Sequence, residues 1–259
     1  ASLQSPLMLM FFASVGLGAD ACSLARGGAK VLVLLAVVAV MLVVQNIIGV
    51  GAAIAMDLNP LVGLLSGSIA MAGGHGTGAA WAARFAEEQN LAGALELAIA
   101  SATFGLILGG LVGGPVARRL IERLPPDKRR GASADDEGGP VAAVGCDVDT
   151  RGVIDTLLLM AVCLAAGSYL ADLLEGSAIT LPAFVWTLFV GIILRNLLGL
   201  THLYAVRDEV VELLGGVALS IFLAMALMSL RLWQLVDLAV PIFVILVLQA
   251  SAVAAFATF

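Results

Sequence analysis

The sequence is dominated by apolar runs of about twenty residues, each long enough to cross the hydrocarbon core of a bilayer as a helix. Residues of the AVILMFWYC group make up 61% of the chain and charged residues 12%, too few charges to cover that apolar surface in water. We therefore predict an all-α polytopic membrane protein, which excludes an ordinary soluble enzyme. The predicted membrane-spanning segments are 6–25, 29–55, 92–117, 153–174, 181–200, 212–230 and 236–257.

A polar stretch between residues 118 and 152 divides the chain into a first half, 1–117, and a second half, 153–259. It contains the run PPDKRRGASADDEGGP, and such Pro, Gly and charge enrichment is typical of a linker. The segment that begins at Phe12 aligns weakly with the one that begins at Leu223, and the two run in opposite directions across the membrane. We therefore expect an inverted-repeat secondary transporter whose second half is incomplete.

The basic residues predict how the chain is oriented, because cytoplasmic loops carry most of the Lys and Arg. If 61–83 enters and leaves on the same face, only Arg84 and Arg231 lie opposite the linker. The other basic residues then share the linker's side, which we expect to be cytoplasmic. They are Arg26, Lys30, Arg118, Arg119, Arg123, Lys128, Arg129, Arg130, Arg151, Arg195 and Arg207. A full crossing by 61–83 would instead place Arg26 and Lys30 opposite the linker.

The segment 61–83 is apolar but rich in glycine, a poor helix former that allows tight turns. We expect a re-entrant hairpin here, with loosened backbone buried in protein or facing a wet cavity. Half-helix N-termini then offer N–H donors to an anion. The alternative is a glycine-packed helix that crosses without binding any ligand. The candidate substrate-binding residues at the tip are Gly73, Gly74, His75, Gly76, Thr77 and Gly78.

Polar side chains inside apolar segments are costly unless they are paired, so they are candidates for cation binding or for lining a pocket. They are Ser66, Ser68, Gln45, Asn46 and Thr103. The amides can equally join helices, and a membrane Ser or Thr commonly bonds to its own preceding turn. His75 either donates to a substrate carboxylate or fixes the hairpin, and a hydrogen-bonded core histidine is the alternative.

Several residue patterns that other mechanisms need are absent from the sequence. None of the 19 acidic residues falls in the middle of a predicted span, which favours sodium coupling through neutral oxygens over a proton relay. The three cysteines have no CxxC spacing, and HExxH and GxSxG are absent, so we expect no catalytic residue, no cofactor and no metal beyond sodium. The net charge of −6, without a basic stripe, gives no indication of nucleic-acid binding.

The residues of the first half resemble the bacterial glutamate:sodium symporter family. The likeness is most specific from residue 61 to residue 118. It is carried by the runs LLSGS from Leu64, GGHGTGAAW from Gly73, ATFGL from Ala102 and GGLVGGPVAR from Gly109. The runs VQNIIG from Val44 and LSIFLAMALM from Leu219 also look like that family.

The resemblance implies an inner-membrane carrier that imports L-glutamate with sodium, and not an enzyme. It also implies two inverted halves, a cytoplasmic central linker, a homodimer and an elevator-like movement. Relative to the family pattern, the first helices and the second glycine-rich segment are absent, so we expect this chain to be a fragment. The main alternative is a sodium-coupled carrier of another organic anion, such as a dicarboxylate, with the same fold. A passive channel and an intramembrane enzyme are further alternatives.

Overall fold

The computed structural model describes residues 3–123, 149–174, 181–201, 204, 206–229 and 239–258. Within these ranges all regular structure is helical and no strand occurs. The elements are α1 (Gln4–Leu17), α2 (Ala21–Ala55), α3 (Pro60–Leu64), a π-helical segment (Leu65–Ala72), α4 (Gly74–Gln89), α5 (Ala94–Glu122), α6 (Thr150–Leu173), α7 (Ala183–Thr201), α8 (Asp208–Ser229) and α9 (Ala239–Thr258).

Six of the described helices are long and apolar enough to cross a membrane, namely α2, α5, α6, α7, α8 and α9. Their outer surfaces are apolar as well. On α2, Leu32 is 67% exposed and Val33 is 63% exposed. Side chains of this kind suit contact with lipid and not with water. The prediction of an all-α polytopic membrane protein is therefore confirmed.

The predicted span 6–25 is divided in the structure between α1 and the start of α2. Helix α1 has 14 residues, which at about 1.5 Å per residue is shorter than the hydrocarbon core of roughly 30 Å. Asp20 begins α2, because its carboxylate accepts hydrogen bonds from the backbone amides of Cys22 and Ser23 at 3.0 and 3.1 Å. The Ser23 hydroxyl bond, followed by these amides, holds the pKa of Asp20 below its ordinary value.

A break within α2 and the C-terminal end of α5 depend on particular residues. Gly28 interrupts α2 with a φ of +52°, a left-handed conformation that favours glycine. The break falls in the Arg26-Gly27-Gly28 sequence that bounds two predicted spans. At the other end, α5 continues past the predicted limit at residue 117, and an ion pair of 3.2 Å joins Arg118 to Glu122 one turn later.

The chain forms two compact units. The first comprises Ala1–Ala36 and Asp147–Leu230. In this unit α1 packs against α6, α7 and α8, and α7 also packs against α6. Its core contains Ala13, Leu17, Met160, Cys163 and Val211. The side chain of Asn196 on α7 secures the α1–α2 turn, since it donates to the Ala19 carbonyl at 3.1 Å and accepts from the Ala21 amide at 2.8 Å.

The second unit comprises Val37–Cys146 and Arg231–Phe259. Helix α5 packs against α4 and the π-helical segment, and α9 packs against α5 and the same segment. The core is formed by aliphatic and small residues together with Phe85, and Leu65, Leu97 and Ile245 are fully buried. All of the predicted site residues belong to this unit.

The units are not the predicted halves. Each unit combines residues from before and after the linker, whereas the halves 1–117 and 153–259 are consecutive in the sequence. Compact units are defined by contacts and inverted halves by a repeat, so the two-half organisation stays a prediction. Most of the predicted linker, residues 124–148, lies outside the described residues.

Candidate functional site

The glycine-rich segment is two short helices joined at a break. The first arm, α3 with the π-helical segment, begins at Pro60, where the Asn59 side chain accepts from the Leu61 amide at 3.0 Å. This arm is already distorted at Gly67, whose ψ of −123° is not helical. It ends at Ala72, with Gly73 as its C-cap, and Gly74, the first residue of α4, takes a φ of +76°. Entry and exit on one face of the membrane stays a prediction.

The two arms pack closely, because their contact is made of small residues. A Cβ on Gly78 would lie 3.3 Å from the Cβ of Ala70 on the first arm and 3.3 Å from that of Ala98 on α5. A Cβ on Gly105 would lie 3.1 Å from the Cα of Met71. Larger side chains at these positions would force the arms and α5 apart. The glycines therefore hold a hairpin of two helices against α5.

The tip of the hairpin is the N-terminus of α4. Its N-cap residue is Gly73, and within the described part of the chain no side chain caps the helix. The first turn of a helix has amide N–H groups without intrahelical partners, together with a partial positive charge. Gly73 is exposed and Gly76 is buried, so the donors lie at the boundary between the packed unit and its surroundings. This is the arrangement that binds a carboxylate or another anion.

His75 is held by Thr103 of α5. Its Nε2 lies 3.1 Å from the Thr103 hydroxyl, and that hydroxyl donates to the Ile99 carbonyl at 2.9 Å. A hydroxyl has one hydrogen, so Thr103 must accept from His75 and Nε2 carries the proton. When the imidazole is neutral, the opposite ring nitrogen, Nδ1, is an acceptor. The structure thus brings together two of the predicted site residues.

Ser68 and Asn46 form a second pair. The Ser68 hydroxyl donates to the Asn46 amide oxygen, which joins the π-helical segment to α2. Ser66 behaves differently, since its hydroxyl donates to the Val62 carbonyl of its own arm at 2.6 Å. That bond is the intrahelical alternative considered for membrane Ser and Thr residues. Asn46 and Ser68 are therefore placed at the hairpin, whereas Ser66 is a buried part of the arm.

Gln45 lies beside an apolar cavity of about 230 Å³. Its side chain is 2% exposed, and its amide oxygen has no hydrogen-bond partner among the described residues. The rest of the cavity wall is apolar. The wall includes Met41, Met71, Gly105, Leu108, Ala250 and Val253. Gln45 is thus separate from the paired residues of the hairpin, although it neighbours Asn46 in sequence.

Gln249 on α9 is a buried polar residue of this unit that is not among the predicted site residues. This side chain is fully buried, and its amide nitrogen lies 3.4 Å from the Gly63 carbonyl. A Cβ on Gly67 would lie 2.7 Å from that nitrogen. The sequence contains the feature that would have predicted it. Gln249 lies in the apolar run VILVLQASAV, where an amide is as costly in a membrane as the amides of Gln45 and Asn46.

Groups that could ligate a metal ion or react as thiols are few in the described ranges. They contain no group of three His, Cys, Asp or Glu side chains that could hold a metal ion together. Cys22 is exposed and Cys163 is buried, and both are free. His202 and Cys146 lie outside the described residues. The polar groups that this unit gathers around the hairpin are thus mostly neutral oxygens and amides.

The family model that matches the chain is described as sodium/glutamate symporter, and the match extends over residues 1–259. The sodium/glutamate symporter of Escherichia coli (strain K12) is 48% identical over 262 residues, and that of Haemophilus influenzae (strain ATCC 51907 / DSM 11121 / KW20 / Rd) is 44% identical over 261 residues. Each alignment covers 100% of this chain and 65% of the relative, so the chain spans about two thirds of their length. No solved structure matches it.

Proposed function

The chain belongs to the sodium/glutamate symporter family, and from this premise we propose that it is part of a sodium-coupled carrier that imports L-glutamate across the bacterial inner membrane. The family is one of transporters, in agreement with the prediction that the chain is not an enzyme. Relatives named sodium/glutamate symporter, aligned over the whole chain, support glutamate and sodium as the transported pair. The observation that carries the proposal is the uncapped N-terminus of α4 at the hairpin tip.

The substrate carboxylates would bind at this tip. Glutamate presents two carboxylates, and the backbone donors at the start of α4 can accept one of them without a basic side chain. Glycines at Gly73, Gly74 and Gly76 let the substrate approach the backbone closely, whereas Gly78 allows the two arms to pack. His75 and Thr77 would shape the pocket, with His75 held in place by Thr103. The Asn46–Ser68 pair would line the pocket beside the substrate amino group with neutral oxygens.

Membrane insertion, the side of the linker, and the oligomeric state together with the transport movement are supported by different observations. Multi-pass membrane insertion is supported by six helices of membrane length. A cytoplasmic linker, residues 118–152, is supported by the distribution of Lys and Arg. The homodimer and the elevator-like movement are supported by the family resemblance alone. Sodium is the coupling ion in this proposal, and no other cofactor is included.

Uptake into proteoliposomes tests the function directly. The full-length protein that contains this chain is reconstituted, and labelled L-glutamate is supplied with an inward gradient of either sodium or choline. We expect uptake with sodium and background counts with choline. Equal uptake in the two conditions would refute sodium coupling. Competition by L-aspartate and dicarboxylates separates a glutamate carrier from a carrier of another organic anion, since the true substrate class competes at the lowest concentration.

A variant of the tip, Gly74→Ala, tests the site in the same assay. The φ of +76° at Gly74 costs an L-residue about 1–2 kcal/mol, so the start of α4 should shift away from its binding geometry. We expect the uptake rate to fall at least about fivefold. Gly114→Ala is the matched control, because a Cβ there meets no atom of the described residues within 4 Å. Normal uptake by Gly74→Ala would remove the tip from the substrate site.

A further inference from the structure

The second unit contains two buried amide oxygens that have no hydrogen-bond partner among the described residues. They are Oε1 of Gln45 and Oε1 of Gln249, in side chains that are 2% and 0% exposed. A buried carbonyl oxygen without a partner has lost its hydration and gained nothing in return. Both oxygens therefore have lone pairs that are available to a ligand.

The orientation of Gln249 is fixed by its neighbours. Its amide nitrogen is the atom that faces the Gly63 carbonyl, at 3.4 Å. The reverse orientation would direct two oxygens at each other, so Oε1 must point away from Gly63. The amide lies against Gly67, where a Cβ would be 2.7 Å from Nε2 and 3.0 Å from Oε1. Only glycine permits this approach at the point where the first arm is distorted.

Gln45 belongs to the same neighbourhood. It lies one helical turn before Gly49 on α2, and residues four apart share one face of a helix. A Cβ on Gly49 would lie 2.5 Å from the Gln249 amide nitrogen. Gln45 is therefore one turn of α2 away from the position that faces the Gln249 amide. Gln45 also lines the cavity of about 230 Å³, whose wall includes Ala250, the residue after Gln249.

We propose that Gln249 Oε1 is a ligand of the coupling sodium ion beside the distorted turn at Gly67, with Gln45 Oε1 as a second ligand. This proposal rests on the proposed function. Sodium is a hard cation that takes neutral oxygens, including carbonyls of unwound helix. The paired groups of the hairpin are less suited, because the Asn46 oxygen already accepts from Ser68 and Thr103 already bonds to Ile99. The site is thus separate from the substrate tip.

The test measures sodium dependence in the full-length protein with two independent readouts. The first is the sodium concentration that gives half-maximal glutamate uptake in proteoliposomes. The second is the rise in Tm that NaCl produces over choline chloride in detergent, without glutamate. For Gln249→Leu we expect the half-maximal sodium concentration to rise at least about tenfold and the sodium-dependent rise in Tm to disappear. Ser251→Ala is the matched control, because its exposed hydroxyl donates to the Val247 carbonyl of its own helix.

A second variant keeps the test informative if Gln249→Leu does not fold. Gln249→Glu preserves the shape and one oxygen but buries a carboxylate that needs a cation. We expect NaCl to raise the Tm of this variant more than that of the wild type. A sodium dependence equal to the wild type in either Gln249 variant that folds, with only the basal Tm changed, would overturn the proposal and leave a buried water as the occupant. Wild-type uptake that ignores sodium would instead refute the proposed function.

Discussion

At the scale of single residues, the contacts of His75 separate its two candidate roles. A histidine that only fixes the hairpin needs one bond to a neighbouring helix, and the contact with Thr103 at 3.1 Å supplies it. That same bond places the proton on Nε2 and leaves Nδ1 as the acceptor. A neutral imidazole of this kind cannot donate to a substrate carboxylate through either nitrogen while the Thr103 bond is kept. Positioning the tip is therefore the role that the geometry favours.

Replacing Thr103 tests this positioning role. In Thr103→Val the His75 ring loses its acceptor, at a cost of about 1 kcal/mol. We expect the KM for glutamate to rise about fivefold with little change in the maximal rate. Thr103→Ser restores a hydroxyl at the same position and should restore the KM. A Thr103→Val protein with wild-type KM would show that the bond does not position the tip.

Residue type and depth predicted part of the site but not its pairings. Gln45 and Asn46 stand out because amides are rare in apolar runs, and the structure gives them different surroundings, one unpartnered and one bonded to Ser68. Partners cannot be read from the sequence when they are distant along it. Gln249 and Gly63 are 186 residues apart. The sequence contains each group, but only the packing of α9 against the hairpin brings them together.

At the scale of elements, a glycine can either break a helix or allow two helices to pack closely. The number of glycines in a segment does not show which of these roles each one has. Gly28 and Gly74 have positive φ values and interrupt the helical path of the backbone. Gly16 and Gly191 are helical and instead allow α1 and α7 to approach, since a Cβ on Gly191 would lie 3.0 Å from the Gly16 Cα. Sequence periodicity predicted the long helices well, but it missed the end of α1. That boundary depends on one capping side chain, Asp20.

The α1–α7 contact gives a prediction about stability. Gly191→Ala places a methyl group against the backbone of α1, 3.1 Å from the Ala13 carbonyl oxygen. We expect a loss of about 1–3 kcal/mol, measured as a lower Tm in detergent by tryptophan fluorescence. Gly199→Ala on the same helix is the control, because outside its own helical backbone a Cβ there meets nothing within 4 Å in the described part of the chain. Its Tm should be unchanged or slightly higher, and equal Tm losses in the two variants would contradict the contact.

At the scale of the whole molecule, the orientation of the chain depends on whether the hairpin crosses the membrane. Its two arms are too short to be counted among the six spans, and they pack on each other around Ala70 and Gly78. If the hairpin is re-entrant, the residues before Pro60 and those after α4 begin on the same side of the membrane. If it crosses, they lie on opposite sides, and the Lys and Arg asymmetry is weaker.

Cysteine labelling distinguishes these arrangements. In the full-length protein without native cysteines, we introduce Asn59→Cys before the hairpin, Glu87→Cys after it, or Ser133→Cys in the linker. A maleimide that cannot cross the membrane is then added to spheroplasts. We expect it to label the first two variants directly and Ser133→Cys only after permeabilisation, because Asn59 and Glu87 are exposed and re-entry leaves both outside. Each variant must retain uptake. Direct labelling of only one of Asn59→Cys and Glu87→Cys would mean that the hairpin crosses, and the loosened backbone at Gly73 and Gly74 would then lie within a transmembrane path.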